Sequence, residues 1–131
     1  LKERVADAAF RDPAKRRALE DLLHPMVFRE VDAEAERACE GVVVVEVPLL
    51  FERGYERRFD RTVTVRADNE AVLRRLRAKG MAEADVLLRQ HAQLPVEEKA
   101  RRSDFVVDNS GTEEETLRQV KEIYRELLSL A

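Results

Sequence analysis

A handful of side chains in this sequence have types and spacings that could do chemistry. His24 stands directly before Pro25. At a helix end its imidazole can hydrogen-bond a free carbonyl, or it can donate to a phosphate or hydroxyl of a ligand. Glu46 closes a run of four valines, 42–45. At a strand's carboxyl end, phosphoryl-transfer enzymes hold acidic groups that order metal-bound water; a plain strand-end carboxylate satisfied by neighbouring amides occupies the same place. Arg74, Arg75, Arg77 and Lys79 crowd one predicted helix, with Arg75 and Lys79 four apart on one face. Arg89 follows on the next. Two basic helices joined by a short turn could close over a polyphosphate, because the planar guanidinium fork fixes phosphate oxygens. A solvated helical face is the plainer reading, and Lys99, Arg101 and Arg102 are read the same way. Asn109-Ser110-Gly111 could offer backbone groups to a base or phosphate, or simply turn the chain.

These residues need elements to position them. The stretch 41–54, GVVVVEVPLLFERG, reads as a strand buried on both faces: continuous, β-branched and bounded by glycine. Pro48 stops pairing just beyond it. Ligands of open α/β sheets bind outside the carboxyl ends of strands, so this stretch is expected to supply the middle of the sheet and part of a site's floor. Upstream, residues 2–10 carry a weak helical stripe. Asp12-Pro13 starts a helix with Leu19, Leu22 and Leu23 facing the core. Pro25 is expected to end or kink it, and a second helix would bury Met26, Val27, Val31, Ala35 and Ala38 up to Gly41.

Downstream, 61–65 (RTVTV) reads as a second strand. Asp68 caps a helix with Val72, Leu73 and Leu76 inward, ended by Gly80. Residues 81–94 form another, with Val86, Leu87 and Leu94 inward. Pro95 opens a short charged segment to Arg102. Residues 104–108 (DFVVD) are a third strand. Thr112 and Glu115 make a capping box, and Leu117, Val120, Tyr124, Leu127 and Leu128 form the stripe of the last helix. Strands alternating with helices predict a parallel α/β sheet.

The chain has 131 residues, enough for one domain with a small core. Charged residues are 39% and aromatic residues 5%, with no Trp, a helix-rich composition. Net charge is −3 and pI about 5.6, so no nucleic-acid partner is expected. One cysteine, Cys39, excludes an internal disulfide, and no zinc spacing links it to His24 and His91. A reducing cytoplasm fits. No apolar run is long enough to span a bilayer, and no signal-peptide pattern opens the chain. No G-x-x-x-x-G-K-[ST] occurs, and no two of the four glycines are close enough to build one. The chain opens at Leu1 inside a helical pattern, which reads as a fragment or a trimmed N-terminus.

In order and spacing, LLHPMV (22–27), VVEVPLLFERG (44–54), the RL of Arg75-Leu76, RQHAQLPVEEK (89–99) and SDFVVDNSGT (103–112) resemble the dephospho-coenzyme A kinase family, of the nucleoside-monophosphate-kinase type of P-loop fold. The resemblance implies a three-layer α/β core, a parallel sheet with flanking helices, a helical substrate domain and a helical lid. It implies ATP-dependent phosphorylation of the ribose 3′-hydroxyl of dephospho-CoA, the last step of CoA synthesis, with Mg²⁺. It assigns residues 1–40 to the helical CoA-binding part, 41–67 to core strands, 68–102 to the lid, and 103–131 to a core strand and the C-terminal helix. By the same resemblance His24, Pro48, Leu49 and Glu52 lie at the substrate, Arg75, Lys79 and Arg89 face the ATP phosphates, and Asn109 and Gly111 lie near the adenine. Glu46 would stand behind the metal.

Two departures from the family pattern count. Where many members end the lid helix in Arg-Asp-Gly, this chain has Lys79-Gly80, one residue short, and Lys lacks the Arg fork. The N-terminal strands, the P-loop and the Asp base of the family are missing, so no catalytic residue is assigned here. The chain alone is expected to be inactive and to expose an apolar edge that invites self-association. A non-catalytic nucleotide- or CoA-binding module of the same fold is the alternative. Another nucleotide kinase of that fold is weaker, since the HP and PLLFE stretches point to the CoA branch.

Overall fold

The computed structural model describes residues 12–38, 40–91 and 93–130, without the side chains of Leu88 and Arg89. The helix expected at 2–10 and Cys39 lie outside the described residues. The chain divides into two compact units, Leu1–Val45 and Glu46–Ala131, each described by itself.

In the first unit, α1 runs unbroken from Pro13 to Ala38. Its start is as expected: the Asp12 carboxylate accepts the amides of Ala14 (2.9 Å) and Lys15 (3.3 Å), the two donors an N-cap can reach. The expected break at Pro25 is corrected, since the helix passes through it. An interior proline costs roughly 3 kcal/mol. Stopping and nucleating a second helix costs roughly 4 kcal/mol, from a nucleation constant of about 10⁻³, so continuing is the cheaper course. The expected buried stripe is also corrected. Leu22, Leu23, Met26 and Val27 are exposed, Leu22 at 66%, and among the described residues of α1 only Phe28 is buried, edge-on to His24 at 6.5 Å between ring centroids.

The valine run forms no strand. β-Branched residues favour extended backbone, but a strand exists only when its amides and carbonyls pair with a neighbour. Among the described residues the run has no ladder partner, and Val44 is 83% exposed.

The second unit holds a two-stranded parallel sheet, β1 (Val63–Arg66) and β2 (Phe105–Asp108), paired from Val63 with Phe105 to Arg66 with Asp108. Two of the three expected strands therefore form, and in the expected sense. Parallel pairing needs a long crossover, and three helices supply it: α2 (Asn69–Ala78), α3 (Glu83–His91) and α4 (Val96–Arg102). The last helix, α5, spans Glu113–Leu130. α4 packs on β1, and α5 on β2. Val65 and its partner Val107 share a face, yet Val107 is 3% exposed and Val65 59%: on this face the cover reaches β2 and not β1.

Sequence signals at the helix ends hold. Asp68 accepts the Ala71 amide at 2.7 Å, and Gly80 follows α2 at φ 78°. Thr112 and Glu115 bond reciprocally, at 2.8 Å from the Thr112 amide to the Glu115 carboxylate and 3.2 Å from the Glu115 amide to the Thr112 hydroxyl. Burial follows the stripes less well. Val86 is buried as expected, Leu87 is exposed, and the α5 residues Leu117, Val120, Tyr124 and Leu128 are all exposed. An amphipathic stripe states which face can be buried; only a packed neighbour buries it. No helix among the described residues is long and apolar enough to cross a membrane.

Residues 48–54, expected as strand end and loop, form one helical turn. The Tyr55 amide bonds the Leu50 carbonyl (2.9 Å) and the Gly54 amide that of Phe51 (3.3 Å), with Gly54 left-handed at φ 68°. That pair of bonds is a Schellman closure. A 3₁₀ turn, Tyr55–Arg58, follows.

Candidate functional site

Both strands end at one edge of the sheet, where an α/β fold places its ligands. Arg66 and Asp108 are the last residues of their strands and partners in register. Their side chains pair at 3.2 Å, and Arg66 also reaches Glu97 in the first turn of α4 at 3.1 Å. The sequence reading missed both. Their position at strand ends was visible, but their adjacency follows only from the pairing.

Just beyond this edge lies the 109–111 turn, held from several sides. The Asn109 amide donates to the Arg66 carbonyl at 2.7 Å. The Asp108 carboxylate accepts the Ser110 amide (2.9 Å), and the Ser110 hydroxyl accepts the Asp68 amide (2.9 Å). Hydrogen bonds from Ser110, supported by Arg66, hold the Asp108 carboxyl below its ordinary range. Thr116 donates to the Asn109 side chain at 2.9 Å. The Gln119 amide group bonds both backbone groups of Asp108, each at 2.9 Å.

Arg75 completes this frame. Its guanidinium donates to the Asn109 carbonyl at 2.6 Å and reaches the Gly111 carbonyl at 3.4 Å. Three residues singled out from the sequence, Arg75, Asn109 and Gly111, thus come together. The contact is guanidinium to backbone carbonyl, a use that the sequence reading did not contain.

A second cluster joins the 48–58 segment to residues 93–102. Glu52 and Lys99 pair at 2.7 Å, each side chain only 15% exposed. The same Glu52 oxygen accepts the Leu94 amide at 2.9 Å. Lys99 also donates to the Gln93 side chain (2.8 Å) and reaches the Pro48 carbonyl (3.4 Å). Burial pushes the Glu52 carboxyl up, but the bonds from Lys99, from its own amide and from Leu94 together outweigh it, and the net direction is down. Three residues along, Arg102 pairs with Glu56 at 2.9 Å and lies over the Phe51 ring at 4.8 Å. The solvated-face reading of Lys99 is corrected accordingly; Arg102 stays exposed, as that reading has it, while pairing with Glu56. Sequence could not find this cluster, because 42 residues separate Glu52 from Leu94 and nothing local marks the meeting.

The other candidates are placed more simply. His24 lies on α1 in the first unit, against Phe28. Glu46 is exposed. Lys79 is exposed just past the end of α2. The Arg89 side chain falls outside the description. Among the described residues, no three His, Cys, Asp or Glu side chains stand where they could share a metal ion. The described residues bring no such group together for Mg²⁺, and no step is assigned to one.

The sequence profile of the family described as Dephospho-CoA kinase matches residues 2–115. A dephospho-CoA kinase of Aquifex aeolicus is 36% identical over 127 residues, covering 96% of this chain and 65% of that protein. One from Thermus thermophilus is 40% identical over 124 residues, covering 94% of this chain and 61% of its own. A crystal structure of a Thermus thermophilus protein superposes with a TM-score of 0.79 at 37% identity, over 96% of this chain and 66% of that one. The chain spans less than two thirds of the length of these relatives. With the profile matched over most of its length, the chain belongs to the dephospho-CoA kinase family.

Proposed function

We propose that the intact protein transfers a phosphoryl group from ATP to the ribose 3′-hydroxyl of dephospho-CoA, in the cytoplasm, and that this chain supplies its acceptor-side helix, its lid and its adenine-side turn. The observation that carries this reading is the family match along residues 2–115. In it, residues 1–40 with His24 and the 48–52 turn with Pro48, Leu49 and Glu52 serve the acceptor. Residues 68–102 form the lid, with Lys79 and Arg89 toward the phosphates, and 41–67 and 103–131 belong to a three-layer core. Asn109 and Gly111 lie beside the adenine. Arg75 is bonded to the Asn109 and Gly111 carbonyls of that turn; a guanidinium has five donors, so these bonds leave donors for a phosphate.

This chain has no G-x-x-x-x-G-K-[ST] sequence. Phosphoryl transfer rests on positioning and electrostatic stabilisation, which that loop provides together with Mg²⁺. The chain alone is therefore expected to bind without turning over. The test is an ATP-dependent assay offering dephospho-CoA, AMP and CMP to the intact protein and to this chain. Turnover of dephospho-CoA by the intact protein alone is the expected result. Turnover by this chain refutes the division of labour, and preference for AMP or CMP refutes the acceptor.

A further inference from the structure

An ammonium group has three donors and no acceptor. Lys99 faces three oxygens: Glu52 Oε1 at 2.7 Å, Gln93 Oε1 at 2.8 Å and the Pro48 carbonyl at 3.4 Å. Its donor capacity is used up, so it is not left over for a phosphate. The three oxygens come from two stretches far apart in sequence, the helical turn 48–54 and Gln93, inside the 68–102 stretch read as the lid. Glu52 strengthens the link, since its Oε1 also takes the Leu94 amide while its Oε2 is buried with no hydrogen-bond partner among the described residues. A buried carboxylate with one oxygen unserved depends heavily on its cation.

We infer that Lys99 is a positioning residue for the acceptor. Through Glu52 and the Pro48 carbonyl it sets the turn that presents Pro48 and Leu49, and it fixes that turn to Gln93-Leu94 within the lid. Glu52, in this arrangement, holds the turn rather than touching the substrate. The inference rests on the proposed reading that residues 48–52 line the dephospho-CoA site.

The experiment uses this chain with dephospho-CoA as the titrant in calorimetry, and amide exchange as a second readout. Three variants are compared with the unsubstituted chain. Lys99→Met keeps the stem and loses the ammonium. Glu52→Gln keeps an acceptor oxygen for Leu94 and Lys99. Glu52→Leu keeps neither. Lys99→Met and Glu52→Leu are expected to weaken dephospho-CoA binding by about tenfold or more, the scale of one misplaced polar contact. They are also expected to speed exchange of the Leu94 amide, while the β1–β2 ladder amides keep their protection. Glu52→Gln is expected to retain much of both. Unchanged affinity in Lys99→Met, with the unsubstituted chain binding, overturns the inference alone. Absence of binding by the unsubstituted chain overturns the acceptor reading, and this inference with it. Loss of ladder protection in Lys99→Met together with Glu52→Gln means that the cluster holds the whole unit rather than the turn, and that also overturns it.

Discussion

The four-residue parallel ladder is short, and its entrance is closed by one side chain. The Asp104 carboxylate accepts both the Thr62 amide (2.7 Å) and the Thr62 hydroxyl (2.9 Å), while the Phe105 amide donates back to the Thr62 carbonyl (3.1 Å). Replacing Asp104 with Ala leaves two donors of a nearly buried Thr62 without an acceptor. Bonds to a charged group are worth about 1.5–3 kcal/mol when sheltered. Asp104 itself is exposed, and solvent screening reduces that to about 2 kcal/mol for the two together. Hydrogen bonds from the Thr62 amide and hydroxyl hold the Asp104 carboxyl below its ordinary 3.8. The folded form thus binds its proton more weakly than the unfolded chain does. The stabilisation is complete above the unfolded value and is lost as pH falls through the folded one. Urea unfolding by circular dichroism, with exchange of the Thr62 amide followed in parallel, measures this from pH 7 to pH 3. Asp104→Ala should lose about 2 kcal/mol at pH 7 and less at pH 3. Asp104→Asn, which cannot titrate, should converge on the parent as pH falls. A loss under about 0.5 kcal/mol at pH 7, or a gap between Asn and Asp that is the same at every pH, refutes the reasoning.

Other perturbations follow from the same geometry. The folded carboxyls of Glu52, Asp104, Asp108 and Glu115 all lie below their ordinary values of 4.5, 3.8, 3.8 and 4.5. Stability should therefore be flat above these values and fall as pH drops through and below them, which acid titration monitored by circular dichroism would detect. Pro25→Ala should stabilise α1 by up to roughly 3 kcal/mol, by restoring an interior amide and removing the ring's clash; helix content on heating reports it, and no gain would mean that the helix already accommodates the proline. Gly54→Ala should cost about 1 kcal/mol purely from the left-handed backbone, because a Cβ there meets nothing within 4 Å; Gly54→Asn should cost less in the same urea titration. Thr112→Ala should cost about 1 kcal/mol as a lost cap, read as faster amide exchange in the first turn of α5.

Local chemistry carried much of this protein in plain view. Asp12, Asp68 and the Thr112–Glu115 box mark helix starts because a side-chain oxygen two or three residues away can serve an otherwise unpaired amide. The strands around Val63 and Phe105 and their parallel sense followed from alternation with helices. The ordered stretches from LLHPMV to SDFVVDNSGT carried the family.

Tertiary structure decided what is long-range. The valine run looked more like a strand than β1 does, yet pairing needs a partner, and sequence cannot say whether one is beside it. The α5 stripe was correctly amphipathic, but nothing in a stripe supplies the neighbour that would cover it. The Glu52–Lys99 and Arg75–Asn109 meetings join residues tens of positions apart, and no local spacing encodes them. Sequence alone fixes what each residue can do within a few neighbours, because caps, turns and periodicity act over that range. Which charges meet, which faces close and which carboxylates are held ionised depend on the chain's return to itself, and only the folded structure shows where it returns.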